Sequence, residues 1–554
     1  MIGTLTASAT AVREVLGNRA LRRVEAAWAI GTAADWAFLV VLLVVAYDEG
    51  GALAVGLLGG LRLLPGIVAA PFAPALVERF RGDGVLTGIN VVRAAGAVAT
   101  AAVVAADLPL AIVYTLAALV AGAGSLVRPI QTALLPALAR TPGELVAANV
   151  ASSTGEGIGT FVGPLVSGAL ISWTGSVPTS MLAAATFGVA AAAATGVRFE
   201  REDDARGGRA APGGASSFRP VDAVRKLVRY RAATLVVGDF LAQIFVRGLL
   251  TTLLVVAAIE LLDMGKAGVG LLNAALGLGG LVGALGALAL VGGGRLPLVY
   301  ALALAGWGLP LVALGAVPVA ALALGLLFLT GVSNAVLDVA GFTLLQRGIR
   351  NEDRVAVFGL FEGLLGIALL LGSLAAPALA ALVGTRGALM LAGALLPALA
   401  LLTWRPIATR ATSGALGGDL LSLLRSNPLF APLPLTALDR LAEGLEPVSF
   451  EQGEVLMRKG ERGDRYVLIA TGEVDVVDEG VLLRTCGPGD GVGEIALVRS
   501  VARTATVTAR TATSGYAIAA PVFLAALAGP AAAAAAERVV AQRLGLPDPD
   551  AQAR

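Results

Sequence analysis

Residues 25–46 read Glu-Ala-Ala-Trp-Ala-Ile-Gly-Thr-Ala-Ala-Asp-Trp-Ala-Phe-Leu-Val-Val-Leu-Leu-Val-Val-Ala, an apolar run that begins at Glu25 and carries a second acid, Asp35, in its middle. A hydrocarbon core about 30 Å thick takes roughly 20 apolar residues of helix, so this run is long enough to cross a bilayer. Arg13, Arg19, Arg22 and Arg23 precede it, and such cations stay on the cytoplasmic side. The run is too long for a cleaved leader and continues into a second one. Outward from it the same signature recurs, and the spans predicted are 25 to 46, 52 to 77, 85 to 105, 109 to 137, 145 to 172, 176 to 197, 234 to 258, 267 to 290, 296 to 314, 317 to 343, 355 to 380 and 384 to 404.

Composition agrees with a chain solvated by lipid. Of 554 residues 57% are hydrophobic and 14% charged, whereas a soluble domain is roughly half apolar and a quarter charged. The net charge of +2 supplies no basic field for a nucleic-acid partner. Histidine is absent and Cys486 is the only cysteine, which removes zinc and haem ligation, histidine relays and triads, and any intramolecular disulfide. No Gly-x-x-x-x-Gly-Lys-Ser/Thr loop is present, so neither an ATP-driven pump nor an enzyme is expected, and no metal or cofactor.

Loop charges test the span count. Arg79 and Arg81 follow the second span, Arg140 the fourth, Arg295 the eighth, and Arg347, Arg350 and Arg354 the tenth, while Lys266 and Arg386 are the exceptions on the other side. This alternation needs an even number of spans and puts both termini in the cytoplasm, in a multi-pass protein of the bacterial cytoplasmic membrane. The polar stretch between the sixth and seventh spans, Gly/Pro/Ser-rich from Gly207 to Ser217, reads as a flexible linker. Val55-Gly56-Leu57-Leu58 opens the second span and Val269-Gly270-Leu271-Leu272 the eighth, an echo expected of two repeated six-helix halves. The expected domains are an N-terminal segment 1–24, halves 25–197 and 234–404 around a linker 198–233, a tether 405–427 and a tail domain 428–554.

Over about residues 20 to 405 the chain resembles the major facilitator superfamily of secondary transporters. Glu78-Arg79-Phe80-Arg81-Gly82 looks like a degenerate copy of the acid-Arg turn between that family's second and third helices, and Gly292-Gly293-Gly294-Arg295 has lost its acid. Gly31 to Tyr47, Gly56 to Pro74 and Ala147 to Gly168 look like its exporter-like branch. The resemblance implies a small-molecule transport substrate.

An ionisable residue at the bilayer centre costs roughly 3 kcal/mol, so it faces a cavity or a partner. Asp35, Arg62, Glu156 and Arg247 fall near mid-membrane, with Arg93, Arg128, Asp239, Asp338 and Glu362 nearer the cytoplasmic third. Asp35, Arg62, Glu156, Arg247 and Asp239 are the candidates for the transport cavity and its coupling, with Asn149, Gln131, Gln243, Asn273 and Asn334 as polar neighbours. Without histidine, proton coupling must run through carboxylates, Asp35 and Glu156 first. Gly277, Gly279, Gly280, Gly283 and Gly286 in the eighth span read as close helix packing.

After Trp404 the apolar runs shorten. An amphipathic helix is expected from Leu416 to Arg425, a Leu-rich one near Leu435 to Leu445, then strands punctuated by Gly453, Gly460, Gly472, Gly480 and Gly487 to Gly491, the spacing of a small antiparallel barrel or jelly roll. The sequence Gly489-Asp490-Gly491-Val492-Gly493-Glu494-Ile495-Ala496-Leu497, followed by Arg503-Thr504-Ala505-Thr506-Val507, joins a glycine turn, an acid able to accept a ribose hydroxyl and an arginine able to pair with phosphate. This segment resembles the phosphate-binding cassette of cyclic-nucleotide-binding domains of the catabolite-activator and protein-kinase regulatory type, over about residues 428 to 530. By that resemblance Glu494 takes the ribose 2′-hydroxyl, Arg503 the cyclic phosphate, and the backbone amides of Gly493 and Ala496 its oxygens, with Ile495 among the binding residues and Thr504 near phosphate or guanine. Val492 stands where the family has an aromatic residue and Ala502 where proline is common. Pro521 to Leu527 and the alanine run to Glu537-Arg538 resemble its lid helices, and no DNA-reading helix-turn-helix follows.

The fold expected is an all-α bundle of twelve transmembrane helices, six plus six, joined to a C-terminal β-roll. The function expected is secondary transport of small solutes regulated by cAMP or cGMP, the alternative being a membrane-anchored nucleotide receptor that moves no solute. Membrane lipid is the surrounding solvent, and the barrel tails leave a homodimer open.

Overall fold

The computed structural model describes residues 17–69, 82–140, 142–195, 220–291, 296–349, 351–414, 418–433, 437–438, 441–442 and 444–544. The acid-Arg turn expected at residues 78–81, its counterpart at 292–295, the linker at 198–219 and most of the helix expected near 435–445 lie outside them. The chain divides into two compact units, Met1–Ala411 and Thr412–Arg554.

The first unit is helical: α1 (Arg19–Leu61), α2 (Leu64–Ala69), α3 (Gly82–Ala105), α4 (Leu110–Ser125), α5 (Val127–Leu138), α6 (Pro142–Thr174), α7 (Ser176–Ala194), α8 (Pro220–Arg229), α9 (Arg231–Val256, continued by a π turn, Ala257–Leu261), α10 (Gly265–Val291), α11 (Leu296–Ala316), α12 (Ala320–Gly348) and α13 (Asn351–Gly414). Among the described residues, ten helices are long and apolar enough to cross a membrane. The sequence predicts twelve separate spans, and the difference has a local cause. Helix α1 has 43 residues and runs through Gly50 and Gly51, whose φ/ψ of −151/20° and 59/−151° are not helical. Helix α13 has 64 residues and runs through Gly384, at φ 71° and ψ 164°. At about 1.5 Å per residue each is at least twice the thickness of a hydrocarbon core.

Two boundaries differ from expectation. Residues 198–233 read as a flexible linker, yet Pro220–Arg229 is helix α8. Proline begins it, Asp222 lies in its first turn and Lys226 and Arg229 in its last, each favourable to the helix dipole. Ala223 and Leu227 are buried, and Lys226 pairs with Asp353 at 2.9 Å. The expected tether at 405–427 is also largely helical, since α13 continues past Pro406 to Gly414.

Helix α10 packs on α6 and α12, α1 on α6, α7 and α9, and α3 on α7. Glycine lets the backbones approach. A β-carbon at Gly270 would lie 2.3 Å from the Pro164 carbonyl oxygen, and one at Gly279 would lie 2.0 Å from that of Phe328. Of the eighth-span glycines, Gly277, Gly279 and Gly283 are such contacts, while Gly286 has nothing within 4 Å. Phe240, Phe342, Phe358 and Phe361 form an aromatic knot joining α9, α12 and α13, with Phe240 and Phe361 centroids 5.4 Å apart.

The second unit contains α14 (Gly418–Ser426), β1 (Leu445–Phe450), β2 (Val455–Met457), β3 (Arg465–Thr471), β4 (Val474–Asp478), β5 (Val481–Cys486), β6 (Gly491–Val492), α15 (Glu494–Val498), β7 (Thr506–Ala509), β8 (Thr513–Ala519), α16 (Ala520–Ala526) and α17 (Pro530–Arg543). Two four-stranded antiparallel sheets, ordered β1-β8-β3-β6 and β2-β7-β4-β5, face each other across a core. Asp478 pairs with Val481 across Glu479 and Gly480, both at positive φ, the two-residue turn that suits strand twist. Helix α14 belongs to this unit: Leu424 is fully buried with Phe430, Tyr466 and Phe523, and Asn427 donates to the Tyr466 hydroxyl at 3.0 Å and to the Gly489 carbonyl at 2.9 Å.

Gly279→Ala should lower the unfolding temperature of the detergent-solubilised protein, because overpacking costs roughly 1–3 kcal/mol. Gly286→Ala should leave it unchanged or slightly raised. Equal melting of the two variants by intrinsic fluorescence would contradict the helix seam.

Candidate functional site

In the second unit the strand β6 ends at Val492 and is followed by Gly493, which has a φ of 99° and caps the start of α15. An L side chain is strained there, and a β-carbon would also lie 2.5 Å from an Arg503 nitrogen. Glycine therefore leaves room for the guanidinium. The Arg503 backbone is fixed on both sides, its N–H donating to the Glu461 carbonyl at 2.8 Å and its carbonyl accepting from Gly460 at 2.8 Å. Its side chain, 5% exposed, donates from Nη1 to the Gly493 carbonyl at 2.9 Å and from Nη2 to the Arg465 carbonyl at 2.7 Å, with Asp464 at 3.4 Å. Burial pushes this guanidinium below its ordinary range, and Asp464 partly offsets the effect.

Glu494, 1% exposed, stands beside it on the first turn of α15. Its Oε1 accepts from Arg543 at 2.5 Å, with Arg484 at 4.0 Å, while its Oε2 has no hydrogen-bond partner. An unmatched buried carboxylate oxygen is costly and accepts a donor such as a hydroxyl. Arg543 is the residue that sequence reasoning missed. It closes α17 and donates to the Gly491 carbonyl at 3.0 Å; burial pushes its guanidinium down, but Glu494, Tyr466 and Cys486 together hold it above its ordinary value. Its helix is pinned to the far end of α15 by Arg499 and Glu537 at 3.1 Å. The only sequence signal was a basic residue ending an alanine-rich helix.

Gly493, Glu494, Ile495, Ala496, Arg503 and Thr504 all line one pocket, with Met457, Val476 and Val507 as apolar walls. The two departures from the expected pattern are absorbed by the backbone: Val492 is buried and pairs with Val467, and Ala502 bridges Arg462. The pocket encloses about 50 Å³, well under the roughly 300 Å³ of a typical organic-ligand site. Cys486, also buried, has its thiol pushed upward by desolvation, which makes it unreactive.

The first unit holds a larger cavity of about 580 Å³. Arg62, Glu156 and Arg247 line it, joined by Asn273, Asn334 and Asp338 and by Trp36 and Trp307, which the sequence did not single out. Glu156 pairs with Arg128 at 3.2 Å. Asn334 accepts from Trp307 at 3.0 Å and Gln243 at 3.2 Å and donates to Asp338 at 2.9 Å. Asp35 and Asp239 are not in the lining. Asp35 is paired with Arg93, whose buried guanidinium also lies 4.3 Å over the Phe187 ring. Asp239, 1% exposed, accepts from Thr403 at 2.9 Å. A further buried acid, Glu25, accepts from Ser152 at 2.7 Å, with Gln131 at 3.4 Å.

Comparison with known proteins separates the same two regions. The Major Facilitator Superfamily matches residues 27–294 and the cyclic nucleotide-binding domain matches residues 447–529. A cAMP-dependent protein kinase regulatory subunit of Schizosaccharomyces pombe is 35% identical over 91 residues, 16% of this chain and 22% of the relative. One of Dictyostelium discoideum is 43% identical over 76 residues, 12% of this chain and 23% of the relative. The chain thus spans under a quarter of the length of these relatives. Among solved structures, the regulatory domain of Toxoplasma gondii PKA crystallised with cAMP is 27% identical, with a TM-score of 0.20, over 22% of this chain and 46% of that one. A cyclic nucleotide binding protein from Ruegeria pomeroyi is 20% identical, with a TM-score of 0.20, over 23% and 59%. The chain thus joins an apolar helical bundle, matched by the Major Facilitator Superfamily over residues 27–294, to a C-terminal region that holds the buried Glu494–Arg503 cradle and is matched by the cyclic nucleotide-binding domain over residues 447–529.

Proposed function

We propose that this protein is a secondary active transporter of small solutes whose activity is regulated by cAMP or cGMP bound to its C-terminal domain. The observation that carries the regulatory half is the Glu494–Arg503 cradle: a buried carboxylate with one orphaned oxygen beside a buried guanidinium. A sugar hydroxyl satisfies the first, and a cyclic phosphate suits the second as a charge-assisted partner. A degenerate pocket has no reason to keep both, since each costs stability when unmatched.

For the bundle, the non-helical glycines at Gly50–Gly51 and Gly384 support reading α1 and α13 as two crossings each, hence twelve in two halves of six with both termini cytoplasmic. The bacterial cytoplasmic membrane is the proposed location, and 428–554, extended forward to include α14, the proposed regulatory domain. The cavity holds groups from α1, α6, α9, α10 and α12, and thus from both halves, as alternating access requires. Nucleotide can bias that equilibrium only through different affinities for its states, and substrate must then alter nucleotide affinity in return.

The small pocket adds a step. Arg543 already lies against the other oxygen of Glu494 and crowds the pocket, so in the proposed mechanism α17 shifts when nucleotide enters, Arg543 gives way, and the ribose hydroxyl reaches the orphaned oxygen of the acid.

Calorimetric titration of the full-length protein should show saturable binding of cAMP or cGMP, with affinity falling roughly 100-fold in Arg503→Ala, equivalent to about 3 kcal/mol. Folded protein that gives no saturable heat with either nucleotide would overturn the regulatory reading. Arg543→Ala should tighten binding by about tenfold, the equivalent of roughly 1.4 kcal/mol, because the side chain that crowds Glu494 is gone. Weaker binding would mean that Arg543 stays on Glu494 in the complex.

A further inference from the structure

The lining of the bundle cavity is unequal in how its charges are answered. Both acids have partners: Glu156 meets Arg128 at 3.2 Å, and Asp338 accepts from Asn334 at 2.9 Å. Asn334 is itself oriented by two donors, Trp307 and Gln243, converging on its side-chain oxygen. The two arginines have no such close partner. Among the described residues the guanidinium groups of Arg62 and Arg247 form neither a hydrogen bond nor an ion pair within 4 Å; Arg62 feels Asp35 and Arg247 feels Asp338 only at longer range, and the Nε of Arg62 is shielded from solvent without a partner.

An unanswered guanidinium inside a bundle is expensive, and five fixed donors make it suited to planar oxyanions. Arg62 follows the first long helix and Arg247 lies on α9, so the two cations come from opposite halves of the sequence. Much of the rest of the wall is apolar, with Leu39, Leu43, Leu250, Leu254 and the two indoles, interrupted by neutral polar groups such as Thr251 and Asn273. About 580 Å³ is the size of a pocket for an organic molecule, far more than an inorganic ion fills.

We infer that the cavity takes an amphipathic organic anion, its oxyanion held by Arg62 and Arg247 and its apolar body lying against the leucines and tryptophans. The inference deepens the transport reading and rests on it for treating this ligand as cargo. Arginines in both halves also give the ligand a mechanical role. An anion held by both draws the halves together around it, and the two cations lose their shared partner when it leaves.

The test uses three matched probes: naphthalene-1-acetate, the neutral naphthalene-1-acetamide and the cationic 2-(1-naphthyl)ethylamine. Equilibrium binding of each is measured on full-length protein in nanodiscs, and flux of each in proteoliposomes. The acetate should bind at least tenfold more tightly than the other two. Arg62→Gln and Arg247→Gln should each weaken it at least tenfold, Arg62→Lys should weaken it less, and Arg458→Gln, exposed on the barrel, should leave it unchanged. If one glutamine variant fails to fold, Arg62→Lys and the other variant still carry the comparison. The inference is overturned if the amine or amide binds as tightly as the acetate, if folded glutamine variants bind the acetate normally, or if folded wild type binds no acetate saturably. Flux of the amine without the acetate would overturn the ligand class and leave the transport reading standing. Arginine-dependent acetate binding with no flux of any probe would do the reverse.

Discussion

The contact on which the bundle depends is the approach of α6 and α10 at Gly168 and Gly270, where neither helix has room for a methyl group. Lipid offers no hydrophobic gain for joining helices, so the seam forms by close backbone packing. The same two helices carry Glu156, Gly157 and Thr160 on one side and Asn273, Leu276 and Gly277 on the other, all facing the cavity. The seam therefore fixes the cavity wall as well as the fold. Elsewhere in the bundle, polar groups that lipid cannot solvate are matched in place: Asp35 with Arg93, Asp239 with Thr403, Glu25 with Ser152.

Much of this was legible because it follows from hydropathy and charge spacing. The apolar runs of the bundle and the cassette from Gly489 to Val507 could be read locally. The breaks inside α1 and α13 could not, since a glycine in an apolar run does not reveal whether the helix bends there or continues. Helix α8 was hidden by the polar composition around it, because its stability comes partly from Lys226 meeting Asp353, which is distant in sequence. The tether expected before the barrel lost both ends to neighbouring structure: α13 runs on to Gly414, and the helix with Leu424 packs into the barrel core.

The sites divided in the same way. In the barrel every expected residue lines one pocket because the cassette is contiguous and its geometry is set by one left-handed glycine, Gly493. Arg543 escaped notice because it reaches Glu494 through the fold, from 49 positions away in the numbering. In the bundle, depth along a span was readable but rotation about the helix axis was not. Arg62, Glu156 and Arg247 turn toward the cavity, whereas Asp35 turns to Arg93 and Asp239 to Thr403. Equal depth does not distinguish a lining charge from a latch.

The position of Arg543 on Glu494 also bears on tempo. If nucleotide must displace that arginine, encounter is not the slow event; the lifting of α17 is. A pocket gated in this way saturates in rate before it saturates in occupancy, because arrivals faster than the opening are wasted. Brief pulses of messenger would then pass largely unread, and only a level sustained beyond the opening time of one short helix would reach the transporter. Under the proposed regulation, the alanine-rich sequence from Pro530 to Arg543 would act as a low-pass filter.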